Sequence, residues 1–307
     1  MGAANGRGDR YVRVQEVGAR DGLQNESRTV PTGIKVDLIE RLARAGLPAV
    51  EAGAFVSPKW VPQMADSEEV FRRIERWDGV SYPALTPNMK GFSRAVAVGV
   101  TEIGVFAAAS ETFSQRNTNC TIEESLERFR PVCAAAQEAG VKIQGYVSTV
   151  LGCPYEGEID PGIVANLCGR LYAMGCYRVS LGDTVGVGTP SKAAALIDRV
   201  AEAVPLDAIG IHFHDTYGQA LANTLACLDR GVRVADSSVS GLGGCPYAPG
   251  AAGNLATEDL IYMLDGLGME TGVDLDAVAE TGAFITGWLG RTPASRVAQA
   301  FAGKKAA

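Results

Sequence analysis

The chain has 307 residues, of which 47% are hydrophobic and 21% charged, a composition that fits one large or two ordinary globular domains. Its formal net charge of −7 and its lack of a basic stripe argue against a nucleic-acid-binding surface. No apolar run is long enough to cross a bilayer, and the seven cysteines, which show no C-x-x-C spacing, indicate free thiols in a reducing compartment. We therefore expect a protein that binds neither nucleic acid nor membrane.

Residues 1–10 are polar and glycine-rich, and we expect them to form a disordered tail. They contain no apolar core of a secretory signal and are too short for a convincing transit peptide. These features favour a bacterial cytoplasmic location.

Strand-like and helix-like segments then alternate along the chain. The predicted strands are 11–17, 49–55, 81–85, 101–107, 141–149, 177–181, 208–214 and 234–239. The predicted helices are 31–45, 67–76, 88–98, 121–139, 161–174, 191–204, a segment that ends at 229, and 254–267. Thr121 and Glu124 have the spacing of a capping box at the start of the fourth helix.

Eight strands that are each followed by a helix predict an α/β fold, the (β/α)8 or TIM barrel. We assign residues 11–270 to this barrel, which would be the catalytic domain, and residues 271–307 to a short helical C-terminal cap packed on it. An open, doubly wound sheet is the alternative fold.

Polar residues at the carboxyl ends of the strands are candidate site residues, because barrels of this kind build their active sites there. The first strand leads into a segment rich in charge and amides, Glu16–Glu26. The second carries Glu51 within an apolar run, and a buried carboxylate is costly unless it is paired. Arg20, at the neighbouring strand end, is its expected partner. The sixth strand ends in Asp183 and Thr184.

The only two histidines of the chain, His212 and His214, end the predicted seventh strand. Side chains at i and i+2 of a strand share a face, so both imidazoles converge, although two hydrogen-bonded core histidines would show the same pattern. With Asp21 and Asn254 they would form a mixed nitrogen and oxygen set that suits a six-coordinate cation such as Mg²⁺ or Mn²⁺. Two histidines and one carboxylate also bind Fe(II) in oxygenases, but the amide ligand argues against that site.

The glycine-rich segment from Gly241 to Gly253 follows the predicted eighth strand. Pro246 stands where the third glycine of a dinucleotide-binding G-x-G-x-x-G motif belongs, so we exclude that motif. We interpret the segment as a glycine-hinged lid that carries one reactive thiol, Cys245. A lone cysteine is usually inert, but a thiol above a candidate metal site favours a function.

Long motifs of the chain resemble the 3-hydroxy-3-methylglutaryl-CoA lyase family, within the wider group of metal-dependent barrel lyases and Claisen-type synthases. The motifs are EVGARDGLQNE at 16–26, FVSPKWVPQM at 55–64, FSQRN at 113–117, HFHDTYGQALAN at 212–223, and GLGGCPY at 241–247 running on to Gly253 and Asn254. The resemblance implies cleavage of 3-hydroxy-3-methylglutaryl-CoA to acetyl-CoA and acetoacetate, as in leucine degradation. It also implies a requirement for Mg²⁺ or Mn²⁺, and a homodimer.

The resemblance also assigns roles to the candidate residues. The implied metal ligands are Asp21, His212, His214 and Asn254. The implied catalytic residues are Arg20, Glu51, Asp183, His212 and Cys245. The implied substrate-binding residues are Arg20, Gln24 and Thr184. Arg20 would stabilise the enolate oxygen of the departing acetyl-CoA, Glu51 would hold Arg20, and His212 and Cys245 would transfer protons.

The chain departs from the family pattern near the acyl end of the substrate. Ala52, Gly53 and Ala54 follow Glu51 where hydroxyl side chains are expected, and residue 19 is alanine in place of proline. A lyase for a longer 3-substituted glutaryl-CoA, such as 3-hydroxy-3-isohexenylglutaryl-CoA, is therefore an alternative. A Claisen-type synthase and a non-enzymatic metal- or CoA-ester-binding protein are further alternatives. The short chain beyond the barrel and the loop cysteine disfavour the synthase.

Overall fold

The computed structural model describes residues 8, 10–24, 26–243 and 253–306. Most of the predicted disordered tail, residues 1–7 and 9, lies outside them. Across the described ranges, nine strands form one sheet: β1 (Arg13–Glu16), β2 (Ala49–Val50), β3 (Gly53–Ala54), β4 (Ala84–Leu85), β5 (Glu102–Ala108), β6 (Lys142–Ser148), β7 (Arg178–Asp183), β8 (Ile209–Phe213) and β9 (Val234–Ser237). Their order is β2-β1-β9-β8-β7-β6-β5-β4-β3, and all pairs are parallel.

The two ends of this strand order belong to a single stretch of chain, because only Glu51 and Ala52 separate β2 from β3. The Glu51 amide donates to the Glu16 carbonyl at 2.8 Å, whereas the Ala52 amide donates to the Pro83 carbonyl at 2.9 Å. The segment thus contacts β1 on one side and the residues before β4 on the other. The predicted continuous strand 49–55 was wrong in this detail, since the chain changes its pairing partner at Glu51.

A buried polar network crosses the interior of the sheet. Arg178 of β7 donates to the side-chain oxygens of Gln15 on β1 and Gln144 on β6. The two amide groups donate to the Tyr146 hydroxyl at 2.7 and 2.6 Å, respectively. β1 and β6 are four positions apart in the strand order, so their side chains can meet only if the sheet curves and both strands direct these residues to its concave side. The α/β fold is therefore of the TIM-barrel type.

Helices follow the strands around this sheet. They are α1 (Thr32–Arg44), α2 (Ser67–Arg73), α3 (Met89–Ala97), α4 (Glu111–Thr118), α5 (Ile122–Glu138), α6 (Pro161–Ala173), α7 (Pro190–Val200), α8 (Ala220–Asp229), α9 (Thr257–Gly266), α10 (Leu275–Leu289) and α11 (Arg296–Ala306). The capping box of α5 is confirmed, with Thr121 Oγ1 3.1 Å from the Glu124 amide and Glu124 Oε2 2.8 Å from the Thr121 amide. Over the ranges given above, no helix combines the length and apolarity that a membrane crossing needs.

Two helix predictions need correction. Helix α4 was not predicted, although Ser110 caps it by accepting a hydrogen bond from the Phe113 amide at 3.0 Å. Helix α9 begins at Thr257 and not at Asn254. Residues before it are extended, because Asn254 forms a bridge with His214 and Ala256 forms one with Ser238. This bridge brings Asn254 next to the end of β8.

Candidate metal centre and active site

A π-helical turn over Gly18–Gly22 follows β1 and carries Arg20 and Asp21. The amides of Arg20, Asp21 and Gly22 all donate to the Val17 carbonyl, at 3.1, 2.7 and 3.2 Å. Any larger residue at position 18 would displace the Glu16 carboxylate, because a Cβ there would lie 2.6 Å from Glu16 Oε1. Single π-helical turns of this kind occur frequently at functional sites.

Arg20 forms the predicted ion pair with Glu51 and a second one with Asp21. The guanidinium lies 2.8 Å from Glu51 Oε2 and 2.6 Å from Asp21 Oδ1, and both Arg20 and Glu51 are buried. Burial raises the pKa of Glu51 to about 7, against the opposing effect of the Arg20 charge. Glu51 Oε1 has no hydrogen-bond partner within the described part of the chain. Glu51 therefore depends on Arg20 to remain ionised at neutral pH.

Asp21, His212 and His214 form a cluster whose donor atoms lie within 4.8 Å of one another, as a metal site requires. The two imidazole rings are 5.6 Å apart, which confirms that they share a face. His212 Nε2 lies 3.8 Å from Asp21 Oδ2. Burial alone would raise the pKa of Asp21, but the charge of Arg20, followed by that of His212, holds it well below its usual range.

The chemistry of these donors fits a divalent cation. Burial, aided by the charge of His212, lowers the pKa of His214 to about 4, so its imidazole is neutral and free to coordinate. His214 Nδ1 is buried, and the described residues provide no hydrogen-bond partner for it. Asn254 lies beside the cluster, with its Nδ2 donating to Asp21 Oδ2 at 2.8 Å and to the Leu242 carbonyl at 3.2 Å. The predicted ligand atom of Asn254 is the side-chain oxygen, which belongs to this same amide group and therefore also lies beside the cluster.

The side chain of Asp183 is hydrogen-bonded to the backbone of the loop that follows it. Its carboxylate accepts hydrogen bonds from the amides of Gly186, Val187 and Gly188 at 3.0, 3.2 and 2.8 Å. Burial raises the pKa of Asp183 although these bonds lower it. These contacts indicate a residue that shapes the loop after β7, and its catalytic role stays a prediction.

The remaining predicted residues fall at the same end of the sheet or outside the described chain. Thr184 Oγ1 accepts a hydrogen bond from the Thr149 amide at 2.9 Å. Gln24 is half-buried just after the π-helical turn. Cys245 lies outside the described residues, so its proximity to the site stays a prediction.

Asp236 was missed by the sequence analysis, although it lies directly beside His212. Its Oδ2 is 3.3 Å from His212 Nδ1 and accepts a hydrogen bond from Ser180 Oγ at 2.9 Å. A signal existed, because Asp236 interrupts the apolar start of the predicted strand 234–239, just as Glu51 interrupts its own strand.

Two further buried carboxylates fix the turns around the site. Glu16 accepts hydrogen bonds from the Gly18 amide at 2.8 Å, the Val239 amide at 2.9 Å and Thr257 Oγ1 at 2.6 Å. It thereby links the π-helical turn to the turn that follows β9. Glu258 accepts a 2.8 Å hydrogen bond from the amide of Ser240, whose φ of 56° lies in the left-handed region.

These carboxylates predict that stability falls as pH rises. Burial raises the pKa of Glu16 to about 7 and that of Glu258 to about 8, from ordinary values of 4.5. The folded protein therefore binds these protons more tightly, and their contribution is full below pH 4.5 and lost as pH rises through 7 to 8. The loss amounts at most to about 3 kcal/mol for Glu16 and about 5 kcal/mol for Glu258.

Chemical denaturation from about pH 5 to about pH 9 measures this decline. Glu258→Gln removes one titrating group, so its free energy of unfolding should vary less steeply with pH than that of the parent. Glu138→Gln, at the exposed end of α5, is the matched control and should follow the parent. A Glu258→Gln profile as steep as the parental one would contradict the prediction.

The fold and the site together define a TIM-barrel-type protein with a carboxylate and imidazole centre that suits a metal. The HMGL-like family matches residues 11–285, and the chain belongs to this family, as its motifs predicted. It is 59% identical over 291 residues to the mitochondrial hydroxymethylglutaryl-CoA lyase of Bos taurus, covering 95% of this chain and 90% of that protein.

Solved structures show the same relationship. The hydroxymethylglutaryl-CoA lyase of Pseudomonas aeruginosa superposes with a TM-score of 0.95 at 55% identity, covering 96% of this chain and 98% of that chain. An HMG-CoA lyase from Acinetobacter baumannii, solved with coenzyme A and 3-methylmalate, gives a TM-score of 0.91 at 38% identity, covering 98% and 97% of the two chains.

Proposed function

We propose that this protein cleaves 3-hydroxy-3-methylglutaryl-CoA to acetyl-CoA and acetoacetate by a metal-assisted retro-Claisen reaction. The observation that carries the proposal is the pairing of Arg20 and Asp21 in one turn. It sets a buried guanidinium directly beside a three-residue metal cluster. Membership of the HMGL-like family and the relatives named above support the same reaction.

The reaction breaks the bond between the carbon that bears the hydroxyl group and the α-carbon of the thioester. The hydroxyl loses its proton and becomes a ketone, while the bonding electron pair moves into a thioester enolate. A bound divalent cation would polarise the substrate oxygens and lower the pKa of the hydroxyl. Arg20, fixed by Glu51 and Asp21, offers a positive charge for the enolate oxygen without needing to reorganise.

We assign the proton transfers to His212 and Cys245. His212 lies against Asp21 through Nε2 and against Asp236 through Nδ1, so its ring is held from both sides. The enolate carbon must then receive a proton, and the thiol of Cys245 is our candidate donor on the strength of the family resemblance. Arg20, Gln24 and Thr184 are the proposed substrate-binding residues, and Asp183 the residue that holds their neighbouring loop.

We propose Mg²⁺ or Mn²⁺ as the cation, with Asp21, His212, His214 and Asn254 as its ligands. A carboxylate, an amide oxygen and two imidazoles would hold the ion, and since these cations favour six ligands, substrate oxygens could also bind to it. The neutral imidazole of His214 and its buried, unpartnered Nδ1 support this assignment.

A lyase for a longer 3-substituted glutaryl-CoA is the second candidate, and it loses part of its support. A Cβ at position 53 would lie 2.8 Å from Ser67 Oγ and 3.0 Å from Ser67 Cβ. Position 53 therefore faces α2, and packing against that helix accounts for its glycine. Only Ala52 and Ala54 remain as departures that bear on the acyl pocket.

We also propose the boundaries and the setting of the protein. Counting β2 and β3 as one strand gives a closed (β/α)8 barrel over 11–270, with 271–307 as a helical cap. Val278 and Ile285 of α10 support this packing, because both are fully buried in the common core.

A homodimer is proposed from the resemblance alone. The six described cysteines are free and buried, which supports a reducing compartment such as the bacterial cytoplasm.

A coupled assay of acetyl-CoA release tests the proposed function. We expect release that requires Mg²⁺ or Mn²⁺, stops with EDTA and falls about 10²-fold or more in Cys245→Ala, the usual scale for a lost proton donor. Cys227→Ala is the control, since burial raises the pKa of that thiol to about 12 and leaves it inert.

The possible outcomes separate the candidate functions. Faster cleavage of the isohexenyl analogue would favour the longer substrate. Condensation of acetyl-CoA with a keto acid would indicate a synthase. A folded, metal-loaded protein that acts on none of these substrates would leave only a binding function.

A further inference from the structure

A second carboxylate lies behind His212, on the side opposite Asp21. Asp236 Oδ2 is 3.3 Å from His212 Nδ1, whereas His212 Nε2 faces Asp21 Oδ2 at 3.8 Å. A neutral imidazole carries one N–H, and a carboxylate can only accept from it. The pair therefore favours the tautomer with hydrogen on Nδ1, which leaves the lone pair of Nε2 directed at the candidate metal centre.

The backbone sets this contact. His212 and Asp236 are register partners on the adjacent strands β8 and β9. Ser180, on β7 at the other side of β8, donates to the same Asp236 oxygen at 2.9 Å. The Asp236 side chain is fully buried, so it reaches neither solvent nor substrate directly. Groups held by neighbouring strands in this way keep their geometry better than groups on loops.

The charge of Asp236 is compensated from inside the barrel. Its Oδ1 is buried without a hydrogen-bond partner among the described residues, and an uncompensated buried charge would be costly. Arg178, also buried, interacts electrostatically with Asp236 and is itself held by the side chains of Gln15 and Gln144. The network beneath the site thus supplies a fixed positive charge that interacts with Asp236.

The two histidines of the cluster differ in this respect. His212 has Asp236 behind its Nδ1, and the described residues show no such carboxylate contact for His214. We propose that Asp236 is a positioning residue that fixes the tautomer and ring orientation of His212, with Ser180 holding Asp236. This arrangement distinguishes His212, whose ring is fixed from behind by a carboxylate, from His214. The expected change in kcat rests on the proposed function, whereas the expected tautomer of His212 does not.

The test combines spectroscopy with kinetics. Because the chain has only two histidines, ¹⁵N-histidine labelling gives an imidazole spectrum simple enough to assign with a His214→Gln variant. In the metal-free protein, at a pH high enough to keep the ring neutral, His212 should show a protonated Nδ1 and an unprotonated Nε2. Asp236→Asn should yield a mixture of tautomers, and Ser180→Ala a smaller change in the same direction.

Binding and activity should change together with the tautomer. For Asp236→Asn we expect Mn²⁺ affinity, measured by electron paramagnetic resonance, to fall about 10- to 100-fold, the scale found when a partner of a ligating histidine is lost. The kcat should fall by a similar factor while KM changes less than about threefold, since Asp236 does not contact substrate. Asp198→Asn, exposed on α7, is the control for all readouts.

Two results would overturn the proposal. The first is a parental His212 that carries its hydrogen on Nε2. The second is an Asp236→Asn protein with parental tautomer, Mn²⁺ affinity and kcat. If the parent cleaves none of the esters yet shows the Nδ1–H tautomer and its loss in the variant, the proposed function fails while the positioning role stands.

Discussion

Replacement of Arg20 by glutamine is expected to lower the kcat of acetyl-CoA release by about 10³-fold, because one preorganised charge aimed at a developing oxyanion contributes on this scale. The guanidinium is buried and fixed by two carboxylates, so no water can take over its role at low cost. The effect should fall mainly on kcat, since the enolate charge develops in the transition state. Steady-state kinetics with Arg130→Gln as control measures it, because Arg130 pairs with Glu127 on the exposed face of α5.

The partner of Arg20 makes the prediction sharper. Without the guanidinium, Glu51 is a buried carboxylate without a compensating charge, and its pKa, already raised to about 7 by burial, rises further. Glu51→Gln should therefore lower activity through Arg20, and the double variant should lose less than the product of the two single losses. Independent losses that multiply in full would show that Glu51 does not act through Arg20.

The parts of the site that follow from local rules were predictable from the sequence. The shared face of His212 and His214 follows from strand geometry, and the pairing of Glu51 with Arg20 follows from the cost of a buried charge. Both need only a correct strand assignment and the rule that the strand ends of a barrel meet at one face.

The parts that failed depend on long-range contacts. The break at Glu51 arises because its amide pairs with β1 while the next amide pairs near β4. The late start of α9 arises because Asn254 pairs with His214 at the end of β8, and the whole of α8 and β9 separates these two residues in the sequence. The alternation of apolar residues carries no information on either event. Asp236 was missed for another reason, since its partner could be identified only after His212 had been placed on the adjacent strand.

Replacement of Asp21 by asparagine should weaken divalent-cation binding by at least about 100-fold, more than the loss of an outer partner usually costs. Asp21 is the one carboxylate of the three-residue cluster found in the described chain, and both histidines are uncharged when they coordinate. Asparagine keeps the shape of the side chain but removes the negative charge. Arg20 retains Glu51 as a partner, so the variant should stay folded.

Thermal unfolding with and without Mn²⁺ gives a readout that is independent of activity. A ligand that binds only the folded protein stabilises it by RT ln(1 + [L]/Kd), so excess Mn²⁺ should raise the melting temperature of the parent and leave that of Asp21→Asn almost unchanged. Asp37→Asn, which removes an exposed carboxylate paired with Arg41 on α1, should respond as the parent does. If Asp21→Asn binds Mn²⁺ within about threefold of the parent, the cation is held elsewhere and Asp21 acts only on Arg20. Arg20→Gln would then still lower kcat, although its neighbour Asp21 does not bind the cation. The two predictions together decide whether the π-helical turn contributes to both metal binding and enolate stabilisation or to enolate stabilisation alone.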